Sequence, residues 1–452
     1  MTVATHPAHG PDPRSSLAAF LSFLFPGLGQ AYNGQRQLAG LLALPVLVLV
    51  AIVGLAVSTS QDGLLSKLLD SGFLVGIIVL DAALLGWRLV AIGQAHGWRS
   101  PITPRHWTSW VTGLLLVATV GMHLVPAYWA IKAIDTLGAV SREGSGRFGG
   151  GGLGGTTLPE PSDQPDMRLG ERVNILLVGI DSLPHREISL TDTMLVVSLD
   201  PRDGRSAMIS IPRDLYGVPL PGGRTYDNKL NSLMSYASER PQEFRDGGVG
   251  TLKAAIGELL GIRIHYFAAI NLLGFKQAVD AIGGVDVTVE REIHDRLYFN
   301  EFGKREGFHL EPGRHHLDGH LALGFVRSRR GEGDNDFTRA ERQQQLLTAV
   351  TEKLTAGNLM LSLPGLLDAV RNTISTDVPE NRFQALAVAI ENSDLDKLER
   401  IVLQPPRFMR VDAFSEAGYI LIPKLRAIRA VVARIVGEST ATEGSHVARV
   451  AS

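Results

Sequence analysis

Apolar residues crowd the first third of the chain. Leu38 to Val57 carries no charge, and its length matches the roughly 20 residues that cross a hydrocarbon core. Gly72–Ile92 is a second such run, interrupted by Asp81 and Arg88, and Trp110–Ile131 is a third. Trp107 and Trp110 stand at one end of the third run and Tyr128 and Trp129 at the other, as in the aromatic belts of spanning helices. Phe20–Gln35 is apolar but broken by Pro26, Gly27 and Gly29. It reads as a re-entrant segment, an interfacial segment or a fourth span. Asp81 and Arg88 share a helical face at membrane depth, which makes them functional candidates or a bundle contact.

Gly, Ser and Pro dominate from Leu137 to Gly170, including Gly149–Gly152. No Gly-Lys-Ser/Thr ending follows, so a linker is the reading, and not a phosphate loop. Flexible residues in that number reach roughly 30 Å. From Arg172 the pattern becomes α/β. Asn174–Ile180 is a continuous apolar run suited to a buried strand. Thr193–Leu199 and Ala207–Ile211 read as strands joined by a turn at Asp200–Gly204. Thr251–Leu260 and Leu273–Ile282 read as helices, with strands at His265–Ile270 and Val285–Val289. Asp318 caps a short helix through Leu323, and Phe325–Arg329 follows as a strand. Thr338 and Glu341 suggest a capping box that opens a long helix to about Leu354. Interleaved strands and helices imply a mixed sheet covered by helices. The small, polar tail from Glu438 to Ser452 reads as disordered. The expected organisation is thus a membrane region 1–136, a linker 137–171, a catalytic domain 172–437 and a tail 438–452.

The 452 residues include 44 Lys plus Arg and 46 Asp plus Glu, a net charge of −2. That balance argues against a nucleic-acid partner. Cysteine is absent, which excludes disulfides, thiolate metal sites and a cysteine nucleophile. The N-terminus lacks the shape of a cleaved signal peptide. Basic residues lie at Arg14 and Arg36 before the first run, at Arg88 near the end of the second, and at Arg99 and Arg105 between the second and third. The positive-inside rule then places the N-terminus inside and everything beyond Lys132 outside, after three crossings.

The chemistry sits in polar residues at the ends of apolar elements. Asp181 ends one strand, Asp192 precedes the next, and Arg213 and Asp214 follow a third. Arg327 and Arg329, read as i and i+2 on a strand, share one face. Leu346, Leu347, Val350 and Leu354 form a helical stripe, whose backward extension reaches Gln343 and Arg339. A guanidinium in the first turn opposes the helix dipole, and a bound anion would relieve it. Replacing Gln343 by Leu would extend the stripe, and is expected to remove activity while keeping or raising thermal stability. Arginines fork onto phosphate oxygens, and carboxylates with phosphates hold Mg²⁺. A pyrophosphate site is the reading. His309, His315, His316 and His320 lack the spacing of a zinc set.

The blocks NILLVGIDS (174–182), TDTMLVVSLDP (191–201), SIPRDLY (210–216), KLN (229–231), IGGVDVTV (282–289), GRHHLDGHLALGFVRSR (313–329) and DNDFTRAERQQQ (334–345) resemble the LytR-CpsA-Psr family. The resemblance implies an α/β/α domain with an apolar cleft for a polyprenyl chain. It implies an Mg²⁺-dependent phosphotransferase that moves a glycan phosphate from a polyprenyl-pyrophosphate carrier to peptidoglycan. In that frame Asp181 and Asp192 match the metal-associated aspartates. Arg213, Lys229, Arg327, Arg329, Arg339 and Gln343 match pyrophosphate contacts, and Asp336 an acidic support. Leu190 departs from the pattern, since the family often has Arg there; Arg186 or His185 could substitute. A pyrophosphatase shares every one of these residues, and a lipid-binding sensor is a further alternative. The Phe20–Gln35 segment separately resembles the first half of a small membrane hairpin module.

Overall fold

A computed structural model describes residues 12–59, 69–100, 106–142, 172–181, 190–202, 204–355, 374–394 and 397–436, with Lys67, Ile102 and Thr103. The chain divides into two compact units, Met1–Asp135 and Thr136–Ser452.

The first unit is helical: α1 (Pro13–Leu24), α2 (Leu28–Tyr32), α3 (Arg36–Thr59), α4 (Ser71–Gly97) and α5 (Trp107–Arg142). Helices α4 and α5 are long and apolar enough to cross a membrane, whereas the apolar stretch of α3, Arg36–Ile52, is shorter. The residues expected as a re-entrant segment form the end of α1, a turn at left-handed Gly27, and α2. Gly29 is required there, because a Cβ would lie 2.0 Å from Ala18 O. That close approach lets α1 and α2 pack on α4. Gln30 then donates to Ala91 O at 2.8 Å, and Asn33 to Ala95 O at 2.8 Å. Asp81 and Arg88 do not pair with each other. Asp81 Oδ1 meets His123 Nδ1 at 2.7 Å, and Arg88 donates to Phe23 O at 2.6 Å. Both are contacts within the helical bundle. Helix α5 continues to Arg142, so the first residues of the expected 137–171 linker are helical. Residues 143–171 and 438–452, expected as linker and tail, lie outside the described residues, as does Gly437.

The second unit is built on a mixed six-stranded sheet, with strands β1 (Val173–Asp181), β2 (Leu190–Leu199), β3 (Ser206–Ser210), β6 (Tyr266–Asn271), β11 (Ile374–Thr376) and β12 (Glu399–Val402) in the order β11-β6-β1-β2-β3-β12. Pairs β6/β1 and β3/β12 are parallel and the others antiparallel. Two-stranded ribbons pair β4 (Tyr216–Pro219) with β5 (Thr225–Lys229), β7 (Val285–Val289) with β10 (Gly313–Leu317), β8 (Ile293–Asp295) with β9 (Phe308–Leu310), and β13 (Met409–Ser415) with β14 (Gly418–Pro423). The helices are α6 (Leu233–Ser238), α7 (Gly247–Leu260), α8 (Leu272–Ala281), α9 (Gly319–Arg327), α10 (Asp336–Thr355), α11 (Phe383–Glu391) and α12 (Leu425–Val436). Period-two alternation sorts the sheet residues. Leu176, Val178 and Ile180 pack with α7 and α12 in a closed core. Leu177 and Ala268, on the opposite face, look into a cavity walled by α8, α9 and α10. Helices therefore cover both faces of the sheet.

Three sequence expectations need correction. Phe325–Arg329 is not a strand: Ala322, Phe325 and Val326 repeat at helical spacing and are buried, so α9 runs on to Arg327. Strand β7 pairs with β10 in its own ribbon and lies outside the main sheet. The long helix opens three residues before the expected cap. Asn335 Oδ1 accepts from Phe337 N and Thr338 N, and Thr338 Oγ1 accepts from Asn335 N, a reciprocal cap.

The sheet also buries a titrating group. His265 Nδ1 accepts from Asn174 N at 3.0 Å, so that nitrogen carries no proton. Burial, then Arg263 and Lys253, push its pKa down to about 4. The unfolded chain binds a proton near pH 6.5 that the folded chain refuses. Stability is therefore full above pH 6.5 and is lost as pH falls from 6.5 towards 4, by roughly 3 kcal/mol. Urea unfolding of the second unit within the intact chain should show this slope, and His265→Gln should flatten it. An unchanged slope in the variant would assign the acid sensitivity to other groups.

Candidate functional site

The cavity has a volume of about 1040 Å³. One wall is the sheet, through Leu177, Ala268 and Ile270; the other is helical, through Phe275, Ala278, Leu346, Leu347, Val350 and Leu354. Polar residues gather where α10 begins. From Arg339 to Leu354 the helix advances about 22 Å, from guanidinium to pure hydrocarbon. That gradient suits an amphiphile with an anionic head and a long apolar tail.

The polar region is assembled from five separate elements. Strand β2 contributes Asp192 through a β-bulge. Gly179 pairs with Thr193 and Ile180 with Thr191, which leaves Asp192 as the extra residue. Bulges re-aim side chains in this way. Asp192 Oδ1 accepts from Arg213 Nη1 at 2.6 Å. Arg213 follows β3 and is largely buried, with Asp214 at 3.8 Å and Asp336 at 3.9 Å. Burial opposes its charge, but Asp192 and Asp336 outweigh burial and raise its pKa further. Lys229, at the end of β5, meets Asp214 at 3.2 Å. Asp336 opens α10 and receives Arg329 at 3.2 Å and Arg339 at 3.0 Å. Burial alone would raise the Asp336 pKa; Arg339, Arg213 and Arg329 hold it below the usual carboxylate value.

Arg339 is the most constrained group. Burial, with Arg213 and Arg329 close by, lowers its pKa to about 10 against the pull of Asp336 and Asp192. Its Nη2 donates to Asp192 O at 3.2 Å, and its buried Nε lacks a partner. An unmet buried donor beside like charges fits a position completed by an anion or a water molecule. The helix dipole, however, is already answered by Asp336 in the first turn, so the dipole argument from sequence does not itself require a ligand.

Arg327 and Arg329 both line the cavity, though not as neighbours on a strand. Arg327 ends α9 and donates to Phe299 O at 2.9 Å. Arg329 lies just beyond the helix, its backbone N donating to Asp295 Oδ2 at 3.0 Å. Asp295 was not singled out in the sequence. It accepts from the backbones of Arg329, Arg330 and Leu297, so it shapes the loop that presents the arginines. The only hint was an acidic residue at an otherwise buried position of β8. Arg330 lines the cavity too and was likewise passed over. The six cations Arg213, Lys229, Arg327, Arg329, Arg330 and Arg339 outnumber the four carboxylates Asp192, Asp214, Asp295 and Asp336. The surplus fits a multiply charged phosphate group.

Asp181 ends β1 opposite Leu190; its side chain lies outside the described residues, as do Arg186 and His185. Leu190 lines the cavity. The histidines are dispersed: His309 meets Glu292 and Glu311, His316 meets Asp286, His320 meets Glu306, and His315 bonds Glu311 O. Glu292, His309 and Glu311 converge at the surface, and none of the three lines the cavity.

Gln343 Nε2 donates to Thr193 Oγ1 at 2.9 Å and to Val326 O at 3.1 Å. The carbonyl of Val326 lies in the last turn of α9, where helical partners run out. Gln343→Leu, expected from the stripe to keep or raise stability, should instead lower it. The variant should lose about 1–3 kcal/mol through the orphaned carbonyl. A melting temperature at or above that of the parent would refute this.

Residues 158–421 match the LytR_cpsA_psr family. The polyisoprenyl-teichoic acid–peptidoglycan teichoic acid transferase TagU of Bacillus cereus is 28% identical over 280 residues, 61% of this chain and 80% of that one. The enzyme of the same description from Oceanobacillus iheyensis is 28% identical over 290 residues, 62% and 80% of the two chains. A crystal structure of TagV from B. subtilis is 22% identical with a TM-score of 0.47, covering 60% of this chain and 99% of that one.

Proposed function

Because the chain belongs to the LytR_cpsA_psr family, we propose that it is a membrane-anchored phosphotransferase that moves a glycan phosphate from a polyprenyl-pyrophosphate carrier to peptidoglycan. The observation that carries this reading is the gradient along α10, from the buried Arg339 to Leu354, inside one cavity. The polyprenyl tail occupies the apolar part, and the pyrophosphate meets Arg213, Lys229, Arg327, Arg329 and Arg339. An acceptor hydroxyl of the wall glycan attacks the phosphorus that bears the donor glycan. A new phosphorus–oxygen bond forms as the bond to the bridging oxygen breaks, and polyprenyl phosphate leaves. The guanidiniums offset charge on the phosphoryl oxygens, so positioning and electrostatics supply the rate.

Mg²⁺ takes one or two carboxylates and completes its shell with phosphate and water, and the cavity-lining carboxylate of Asp192 is a donor of that type. Asp192 and Asp181 would hold it. When bound it supplies further neutralisation of the pyrophosphate. The anchoring reading rests on α4 and α5, and the distribution of basic residues supports several crossings with the catalytic domain outside.

The test uses the intact chain, purified with Mg²⁺, a polyprenyl-pyrophosphate glycan and peptidoglycan fragments. The expected products are polyprenyl phosphate and a covalent glycan–phosphate–peptidoglycan adduct. Free glycan phosphate alone would make the protein a pyrophosphatase, and intact carrier would end both readings. In cells, Ser162→Cys should react with an impermeant maleimide without permeabilisation, in a chain that has no native cysteine. Labelling only after permeabilisation would remove the wall-facing assignment.

A further inference from the structure

The connection between β8 and β9 is held by internal hydrogen bonds and yet apolar at its surface. Phe299 and Arg305 form an antiparallel bridge. Asn300 N donates to Lys304 O at 3.0 Å, and Asn300 Oδ1 accepts from Phe302 N and Lys304 N, each at 3.0 Å. Glu301 turns inward to Lys276 at 2.8 Å. Phe302 is left at the tip, 72% exposed, with Leu297 and Phe299 also exposed on the same turn. A hydrogen-bonded turn that holds large apolar groups in water fits a surface for a partner.

The charges around the tip have one sign. Arg296, Lys304 and Arg305 are exposed, and Arg305 Nε is fixed by donation to Arg296 O. The nearby acids are engaged, Glu301 with Lys276 and Glu306 with His320. Apolar groups ringed by basic ones fit an anionic lipid surface. The turn also borders the cavity: Leu297, Phe299 and Gly303 line it, and Phe299 O accepts from Arg327. A glycan fits less well, because the carboxylate and amide of the tip, Glu301 and Asn300, are engaged within the fold and not offered to sugar hydroxyls.

We propose that the 296–305 turn docks into the membrane surface, so that a polyprenyl carrier passes from bilayer to cavity without exposing its tail to water. Leu297, Phe299 and Phe302 enter the acyl boundary, and Arg296, Lys304 and Arg305 rest on anionic lipid headgroups. This inference rests on the lipid-carrier reading above. The intact chain is placed in nanodiscs of phosphatidylcholine with phosphatidylglycerol, carrying a single fluorophore through Phe302→Cys or, as control, Glu243→Cys. Lipid-borne spin labels should quench the probe at position 302 several-fold more than at 243, and the gap should narrow in phosphatidylcholine alone. Equal quenching at the two positions would overturn the proposal, as would protection of position 302 by peptidoglycan fragments and not by lipid. In the same nanodiscs Phe302→Asp should lower turnover of a bilayer-embedded carrier about tenfold and leave a detergent-dispersed short-chain carrier unaffected. Equal loss on both carriers would also overturn it. If the parent turns over neither carrier, the transferase reading fails, while the quenching comparison still decides the docking.

Discussion

Arg213→Ala in the intact chain should lower turnover of the pyrophosphate carrier by about 10²–10³, the ~3–4 kcal/mol typical of one lost transition-state charge contact. Arg213 is suited to that role because its guanidinium is shared. Asp192, Asp214 and Asp336 all lie within 4.0 Å of it, so its orientation is set from three sides. The fold should survive the change, since Asp336 keeps Arg329 and Arg339 and Asp214 keeps Lys229. Asp192→Ala should fall to a similar rate. Arg213→Lys should recover only part of the activity, because an ammonium is a point charge and cannot fork. Single-turnover rates at saturating carrier test this directly. Near-normal rates in both alanine variants would place the phosphates elsewhere.

Filling the cavity should have the next largest effect. Ala268 faces into it from the sheet beside Leu177, its partner across β1/β6. In Ala268→Phe the new ring occupies space that a polyprenyl tail would use. The lost tail burial corresponds to roughly 1.5–3 kcal/mol, or about 10- to 100-fold in KM for a long-chain carrier. A short-chain carrier should suffer less, and kcat should change little, because tail contacts are the same before and during reaction. With a cavity of about 1040 Å³, the added atoms meet space instead of packed neighbours, so thermal stability should hold or rise. An unchanged KM with a long-chain carrier would mean that the tail lies elsewhere.

Much of this was legible in the sequence, and the parts that were not share a physical cause. Strands β1, β3 and β6 were clear because continuous apolar runs bounded by turns permit little else. The α10 stripe was clear because four apolar residues kept the 3.6 period beside Gln343 and Arg339. Phe325–Arg329 was misread because a short apolar run carries no length to separate strand from helix. The period-three repeat of Ala322 and Phe325 was the available evidence, and it pointed to helix. Asp295 was missed because its work is done through backbone amides of residues far along the chain, a contact with no local pattern. The Gln343 sign was wrong for a related reason: its acceptor, Val326 O, belongs to another helix.

The bulge at Asp192 acts as a change of phase. Beyond it Thr193 and Leu195 look into the cavity, both odd-numbered; before it Leu190 does, an even-numbered position. The extra residue exchanges the faces of the strand. Substitution at 192 alters one side chain and leaves this parity intact. If Asp192 were instead paired in regular register, uninterrupted alternation would turn Leu190 away from the cavity and Thr191, now fully buried, towards it. The site thus depends on the bulged register of β2 as well as on the kinds of residue in it.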